Sequence, residues 1–136
     1  MTESIEVRSA VYRGTDGDRV GIETLRLAPP AHGEVRVRVR AAGVCGSDRH
    51  VLDGEWNVAL PAIMGHEAAG VVESIGDGVR GLAVGDHVVL AWHQACQRCE
   101  SCTAGKSWAC RFAKSNDSLL PDGTTRGSDA DCAAAC

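Results

Sequence analysis

The sequence predicts a small, mostly β domain of the barrel or sandwich type. Three observations lead there: several short stretches of β pattern, few helical stretches, and 16 glycines in 136 residues. That length favours one domain. It also allows a hydrophobic core without disulfide staples.

Taken in order, residues 5–12 and 20–27 read as short strands. The second places Ile22 and Thr24 on one face and Leu25 and Leu27 on the other, which leaves its buried face open. Pro29 and Pro30 then break regular structure. Residues 35–40 give the clearest strand. Its period of two turns Val35, Val37 and Val39 inward and leaves Arg36, Arg38 and Arg40 as a solvated face. Residues 41–46 are turn-prone, and Ser47 is an N-cap candidate for a short helix ending at Leu52. Residues 68–75 form a β-like run without charge until Glu73. Gly85 and Asp86 mark a turn into a strand over 87–91. Residues 93–114 carry cysteines with little periodicity and read as a loop-rich lobe. The expected domain covers 1–126, with 127–136 an unpatterned tail that contains Cys132 and Cys136.

The formal net charge is −4, and the basic residues are scattered. A dedicated nucleic-acid binder would show a basic patch or stripe, so no nucleic-acid partner is expected. No segment approaches the roughly 20 apolar residues of a membrane span, and none is expected to meet a membrane. The first residues carry acids where a signal peptide has a basic region and then an apolar run. The expectation is a soluble, cytoplasmic protein. The cysteines number seven, and four of them lie between 96 and 110. In a reducing compartment such a cluster points to metal rather than to disulfides.

Gly76, Gly78 and Gly81 match the dinucleotide fingerprint G-x-G-x-x-G. That motif requires a helix to begin there, so that amide groups face the pyrophosphate. Gly85 and Asp86 turn the chain into another strand too soon for such a helix. The expected structure is a hairpin-like connection.

Cys96, Cys99, Cys102 and Cys110 have the spacing C-x2-C-x2-C-x7-C. Four thiolates close a tetrahedral shell around zinc with no open position, as in a structural site. Iron–sulfur is the rival, but in a ferredoxin run the fourth cysteine comes three residues later and precedes proline. Here Arg111 follows it. Four unligated thiols are the third reading.

A second constellation combines Cys45 with His66. Alone, a cysteine is usually a small buried hydrophobe and a histidine is usually satisfied in the core. Together they supply two of the ligands of a Cys2His catalytic zinc site, in which water or substrate takes the fourth place. Asp48 and Glu67 are carboxylates beside them. Either could orient the His66 ring, and Glu67 could complete the metal shell. Cys45 precedes the expected helix, whose dipole favours a thiolate. Ser47 and His50 are three apart and share a helix face, where they could pass a proton to solvent. Their plainer readings are an N-cap and a surface histidine.

The motifs GVCGSD at 43–48, GHE at 65–67, AGVVE at 69–73 and GD at 85–86, followed by the four-cysteine lobe, resemble the zinc-containing medium-chain alcohol dehydrogenases. The likeness runs from about residue 7 to about residue 125. It implies a GroES-like, partly open β-barrel. It further implies a catalytic zinc on Cys45 and His66, a structural zinc on the four cysteines, and a proton relay through Ser47 and His50. Trp56 and Trp92 fall where large side chains wall the substrate pocket; ordinary core packing is their alternative. The implied reaction is oxidation of a small-molecule alcohol, or reduction of the aldehyde, with NAD(P), in a complete enzyme open to homo-oligomer formation. Gly46 stands where some members carry a basic residue that meets the cofactor. A Rossmann domain and a third protein ligand for the catalytic zinc are not found in these residues. The chain is therefore expected to be truncated, frameshifted or fragmentary, and inactive alone. A non-catalytic zinc module and an iron–sulfur electron carrier are the competing functions.

Overall fold

The computed structural model describes residues 3–14, 20–92, 95–112 and 127–128. Strands β1 (Ile5–Tyr12) and β2 (Gly21–Leu27) pair antiparallel from Ile5↔Leu27 to Val11↔Gly21. Leu25 and Val11 are each 1% exposed, whereas Ile22 is 63% exposed. The face of β2 that the sequence left open is thus settled: Leu25 points to the core.

Strand β3 (Val35–Ala42) pairs antiparallel with β5 (Ala68–Ile75), and β5 pairs with β6 (His87–Val89). The short β4 (Ala62–Ile63) lies against β1. Strand β7 (Gly127–Ser128) lies against β2 through Leu27↔Gly127 and Arg26↔Ser128. These two residues fall in the stretch expected to be unpatterned. The rest of that stretch, with Cys132 and Cys136, lies outside the described residues. The result is two antiparallel sheets, ordered β4-β1-β2-β7 and β3-β5-β6. This is the mostly β architecture that the sequence predicts.

The strict alternation expected of β3 does not hold. Its register against β5 shifts between Arg36 and Val37 and again between Val39 and Ala41. Each shift leaves one residue, Glu73 in β5 and then Arg40 in β3, without a cross-strand partner. Such bulges rotate the strand and change which side chains face inward. Val39 is consequently 51% exposed, and the Arg36 side chain is only 10% exposed. Arg36 and Arg38 both reach the bulged carboxylate: Arg36 Nε donates to Glu73 Oε2 at 3.2 Å and Arg38 Nε to Glu73 Oε1 at 3.0 Å. Arg36 and Arg38 therefore clamp the bulge, while Arg40 lies exposed as expected of a solvated face.

The Arg38 hydrogen bond, reinforced by the charges of Arg38 and Arg36, holds the Glu73 carboxyl below its ordinary range. A depressed carboxyl contributes stability above its unfolded-state value and loses it as pH falls through the folded one. Glu73→Gln should lower unfolding stability by about 0.5–1 kcal/mol near neutral pH. The difference should vanish in acid, where the native carboxyl is also protonated. Urea midpoints at the two pH values check this. An equal loss at both would mean that the clamp is steric.

Helix α1 (Gly46–Leu52) begins two residues earlier than expected, with Cys45 rather than Ser47 at the N-cap. The cause is Asp48, whose Oδ2 accepts the Cys45 amide hydrogen at 2.8 Å, the return half of a capping box. Ser47 therefore sits inside the first turn. Between β5 and β6 the chain makes turns and no helix, so Gly76, Gly78 and Gly81 belong to a connection between antiparallel strands. The lobe contains α2 (Glu100–Thr103) and a 3-10 turn over Ser107–Ala109. Among the described residues no helix is long and apolar enough to cross a membrane.

Candidate metal centres

The lobe folds its four cysteines onto one point. The Sγ atoms of Cys96, Cys99, Cys102 and Cys110 all lie within 4.8 Å of one another. Cys99 to Cys102 is 3.5 Å, and Cys96 to Cys102 and Cys99 to Cys110 are each 3.9 Å. A disulfide would need about 2.05 Å. A tetrahedron with metal–sulfur bonds of about 2.3 Å has edges of roughly 3.8 Å, so the sulfurs fit a metal shell. Backbone amides prepare it. The Cys96 amide donates to Cys110 Sγ at 3.3 Å and the Cys99 amide to Cys96 Sγ at 3.4 Å.

The thiols respond to this surrounding. The Arg98 amide, followed by that of Cys99 and the neighbouring thiols, lowers Cys96 to about 6. The Cys96 amide is the main cause that lowers Cys110. Burial, then the Cys99 thiol, pushes Cys102 up to about 12. A metal entering the lobe finds Cys96 and Cys110 disposed to be thiolates and must displace a proton from Cys102.

The second cluster joins α1 to the loop before β5. Cys45, His66 and Glu67 each offer a ligand atom within 4.8 Å of the others. Asp48 is the organiser. It is 7% exposed. Besides capping Cys45, its Oδ1 accepts the Gly65 amide hydrogen at 3.3 Å and lies 3.5 Å from His66 Nδ1. One carboxylate thus ties both ligand segments together. With Nδ1 turned to an acceptor, the His66 lone pair belongs to Nε2, and that atom lies 3.2 Å from Ser47 Oγ. The donor set therefore fits a metal ion.

Gly43 contributes space. Its amide donates to the Glu67 carbonyl at 2.7 Å, and a Cβ there would stand 2.8 Å from Glu67 Oε2. Any larger residue would displace that carboxylate. Sequence reading missed this role, because only the fold shows what a side chain at 43 would meet.

Ser47 and His50 share α1 but have different partners. Ser47 bonds His66, whereas His50 Nδ1 lies 2.5 Å from Glu55 Oε2. Trp92 packs a tilted ring against His66, with centroids 5.1 Å apart, and Trp56 stacks on His50 at 5.1 Å. The two indoles are 45% and 47% exposed, so neither is a core residue. Trp56 borders a space of about 410 Å³ together with Tyr12, Val51 and Leu60.

The alcohol dehydrogenase GroES-like domain family matches residues 31–133. The S-(hydroxymethyl)glutathione dehydrogenase of Komagataella pastoris is 42% identical over 113 residues, which is 81% of this chain and 30% of that protein. A solved structure of an alcohol dehydrogenase zinc-binding domain protein from Burkholderia ambifaria superposes with a TM-score of 0.83 at 44% identity. It covers 94% of this chain and 35% of its own. The cobalt- and zinc-bound thermostable alcohol dehydrogenase of Pyrobaculum aerophilum gives 0.69 at 34% identity, covering 79% and 33%. The chain spans about a third of the length of the curated relatives it matches.

Proposed function

Because this chain belongs to the alcohol dehydrogenase GroES-like domain family, we propose that it is the alcohol-binding, zinc-carrying part of an NAD(P)-linked dehydrogenase. Its substrate class is a small alcohol, or the aldehyde in the reverse direction. The observation that carries this reading is the convergence of Cys45, His66 and Glu67 around Asp48, beside Ser47. We assign a structural zinc to the four cysteines and a catalytic zinc to Cys45 and His66.

Zinc held by Cys45 and His66 would supply Lewis-acid polarisation of the alcohol oxygen. The chain's own residues do the rest. Asp48 keeps the His66 ring oriented with Nε2 toward the site. The Ser47 hydroxyl, next to that atom, is placed to take up the proton of a bound alcohol. His50, one turn further along the helix, is the next acceptor toward solvent. Trp92 shields His66 from water on one side. Among the described residues no strand, glycine turn and helix follow one another in the way that grips a dinucleotide. In this reading the nicotinamide is presented by another part of the enzyme. These 136 residues by themselves are expected to bind zinc without oxidising alcohols.

The test uses zinc-loaded protein and a mild chelator. The Cys45–His66 site, with fewer strong ligands than the lobe, should lose its metal first. His66→Ala should remove that fraction and leave the slower one. Unchanged zinc content and loss kinetics in His66→Ala would overturn the assignment. In a chain of the relatives' full length, alcohol-dependent reduction of NAD(P) should appear and should fall with the same substitution.

A further inference from the structure

The reading above gives His50 the outer end of a proton path, and the following rests on it. Helix α1 stops at Leu52, and Gly54 takes a φ of +76°, a left-handed value that suits glycine. The turn folds the next two residues back onto the helix. The amides of Glu55 and Trp56 both donate to the His50 carbonyl, at 2.9 and 3.2 Å. Their side chains then meet the His50 ring from two directions. Glu55 Oε2 lies 2.5 Å from Nδ1 at the ring edge, and the Trp56 indole stacks on the ring face with an interplanar angle of 24°.

A carboxylate can only accept hydrogen bonds. The ring atom facing Glu55 must therefore carry the hydrogen. In a neutral imidazole that leaves the lone pair on Nε2. A free histidine side chain favours the opposite tautomer, so a specific partner is needed to hold this one. Nearby, Arg49 pairs with Asp53 and also feels the Glu55 charge; the Glu55 carboxylate itself meets the ring at Nδ1. From this geometry we propose that Glu55 is a positioning residue: it fixes His50 as the Nδ1–H tautomer, with Nε2 as the proton-accepting atom. Trp56 keeps the ring from turning over. Both partners are substantially exposed, with side chains 48% and 60% accessible for His50 and Glu55. An exposed pair contributes little to folding, so the effect belongs to ring chemistry rather than to stability.

The experiment is nitrogen-15 NMR of the histidine side chains in the zinc-loaded protein at mildly alkaline pH, with His50 assigned through His50→Gln. Wild type should show a pyrrole-like Nδ1 and a pyridine-like Nε2 for His50. Glu55→Ala should raise the Nε2–H population several-fold with the rest of the spectrum unchanged. Glu55→Gln, whose amide oxygen still accepts, should restore most of the wild-type pattern. A wild-type His50 carrying its hydrogen on Nε2, or a tautomer indifferent to Glu55→Ala, would overturn the proposal. This readout needs no alcohol and no NAD(P), so it is independent of the proposed activity. A tautomer that responds as expected, in a full-length dehydrogenase whose turnover ignores both His50→Gln and Glu55→Ala, would uphold the pairing and remove His50 from the proton path.

Discussion

Replacing Cys99 with serine is expected to cost the protein one tightly held zinc ion and the ordered structure of residues 95–112. Cys99 is 8% exposed and caps α2. Its sulfur lies 3.5 Å from Cys102 and 3.9 Å from Cys110. Little else holds the lobe together. Cys99 and Cys110 are the only buried residues among its described positions, and its two large aromatics, Trp108 and Phe112, are 73% and 57% exposed. Without an apolar core, metal coordination has to supply the folding free energy. Structural zinc in comparably small units contributes about 10–16 kcal/mol. A hydroxyl is a poor substitute for a thiolate ligand, so most of that should be lost. Zinc content should fall by one equivalent, and limited proteolysis should open the lobe while the two sheets retain their circular dichroism. Wild-type zinc content in Cys99→Ser would defeat the assignment. So would iron with acid-labile sulfide in the native protein.

What could be read from the sequence follows the range over which each feature is determined. The lobe was legible because its four cysteines lie within 15 positions, and their spacing favours a closed tetrahedral shell over a ferredoxin-type cluster or unligated thiols. The partnership of Cys45 with His66 was legible only as a choice of ligand types, since the link between them runs through Asp48 to the Gly65 amide. Strand pattern identified β3 but not its bulges. The residue that dislocates it, Glu73, is on another strand, and nothing local to 35–40 reports it. Ser47 looked like an N-cap because its residue type suits one, yet the side chain that closes the helix end is Asp48. Glu55 had no signal in its spacing from His50. It reaches the ring because Gly54 turns the chain back, which no helical periodicity encodes.

Ser47→Ala in a full-length, zinc-loaded form of the dehydrogenase should lower kcat by about 10²–10⁴-fold, the usual worth of a positioned proton acceptor. The Michaelis constant should change far less, because the hydroxyl acts on proton removal rather than on holding the alcohol. The helix start makes this test clean. An N-cap serine would carry a helix-stability cost of about 1 kcal/mol when replaced by alanine. Here the cap is Cys45, and the reciprocal bond comes from Asp48, so Ser47→Ala leaves the capping interaction intact. The Ser47–His66 Nε2 hydrogen bond at 3.2 Å belongs to the metal-free site, because zinc would take up that lone pair, so its loss costs the zinc-loaded protein nothing. Thermal stability and zinc content should therefore match wild type, and the loss should appear in kcat. Ser47→Thr keeps a hydroxyl at the same position and should recover much of the rate. His50→Gln should cost less than Ser47→Ala, since water can stand in for the last group of a relay but not for the first. Wild-type turnover in Ser47→Ala would show that the proton leaves by another route. A parallel loss of zinc would show that the serine supports the metal site and not the proton path.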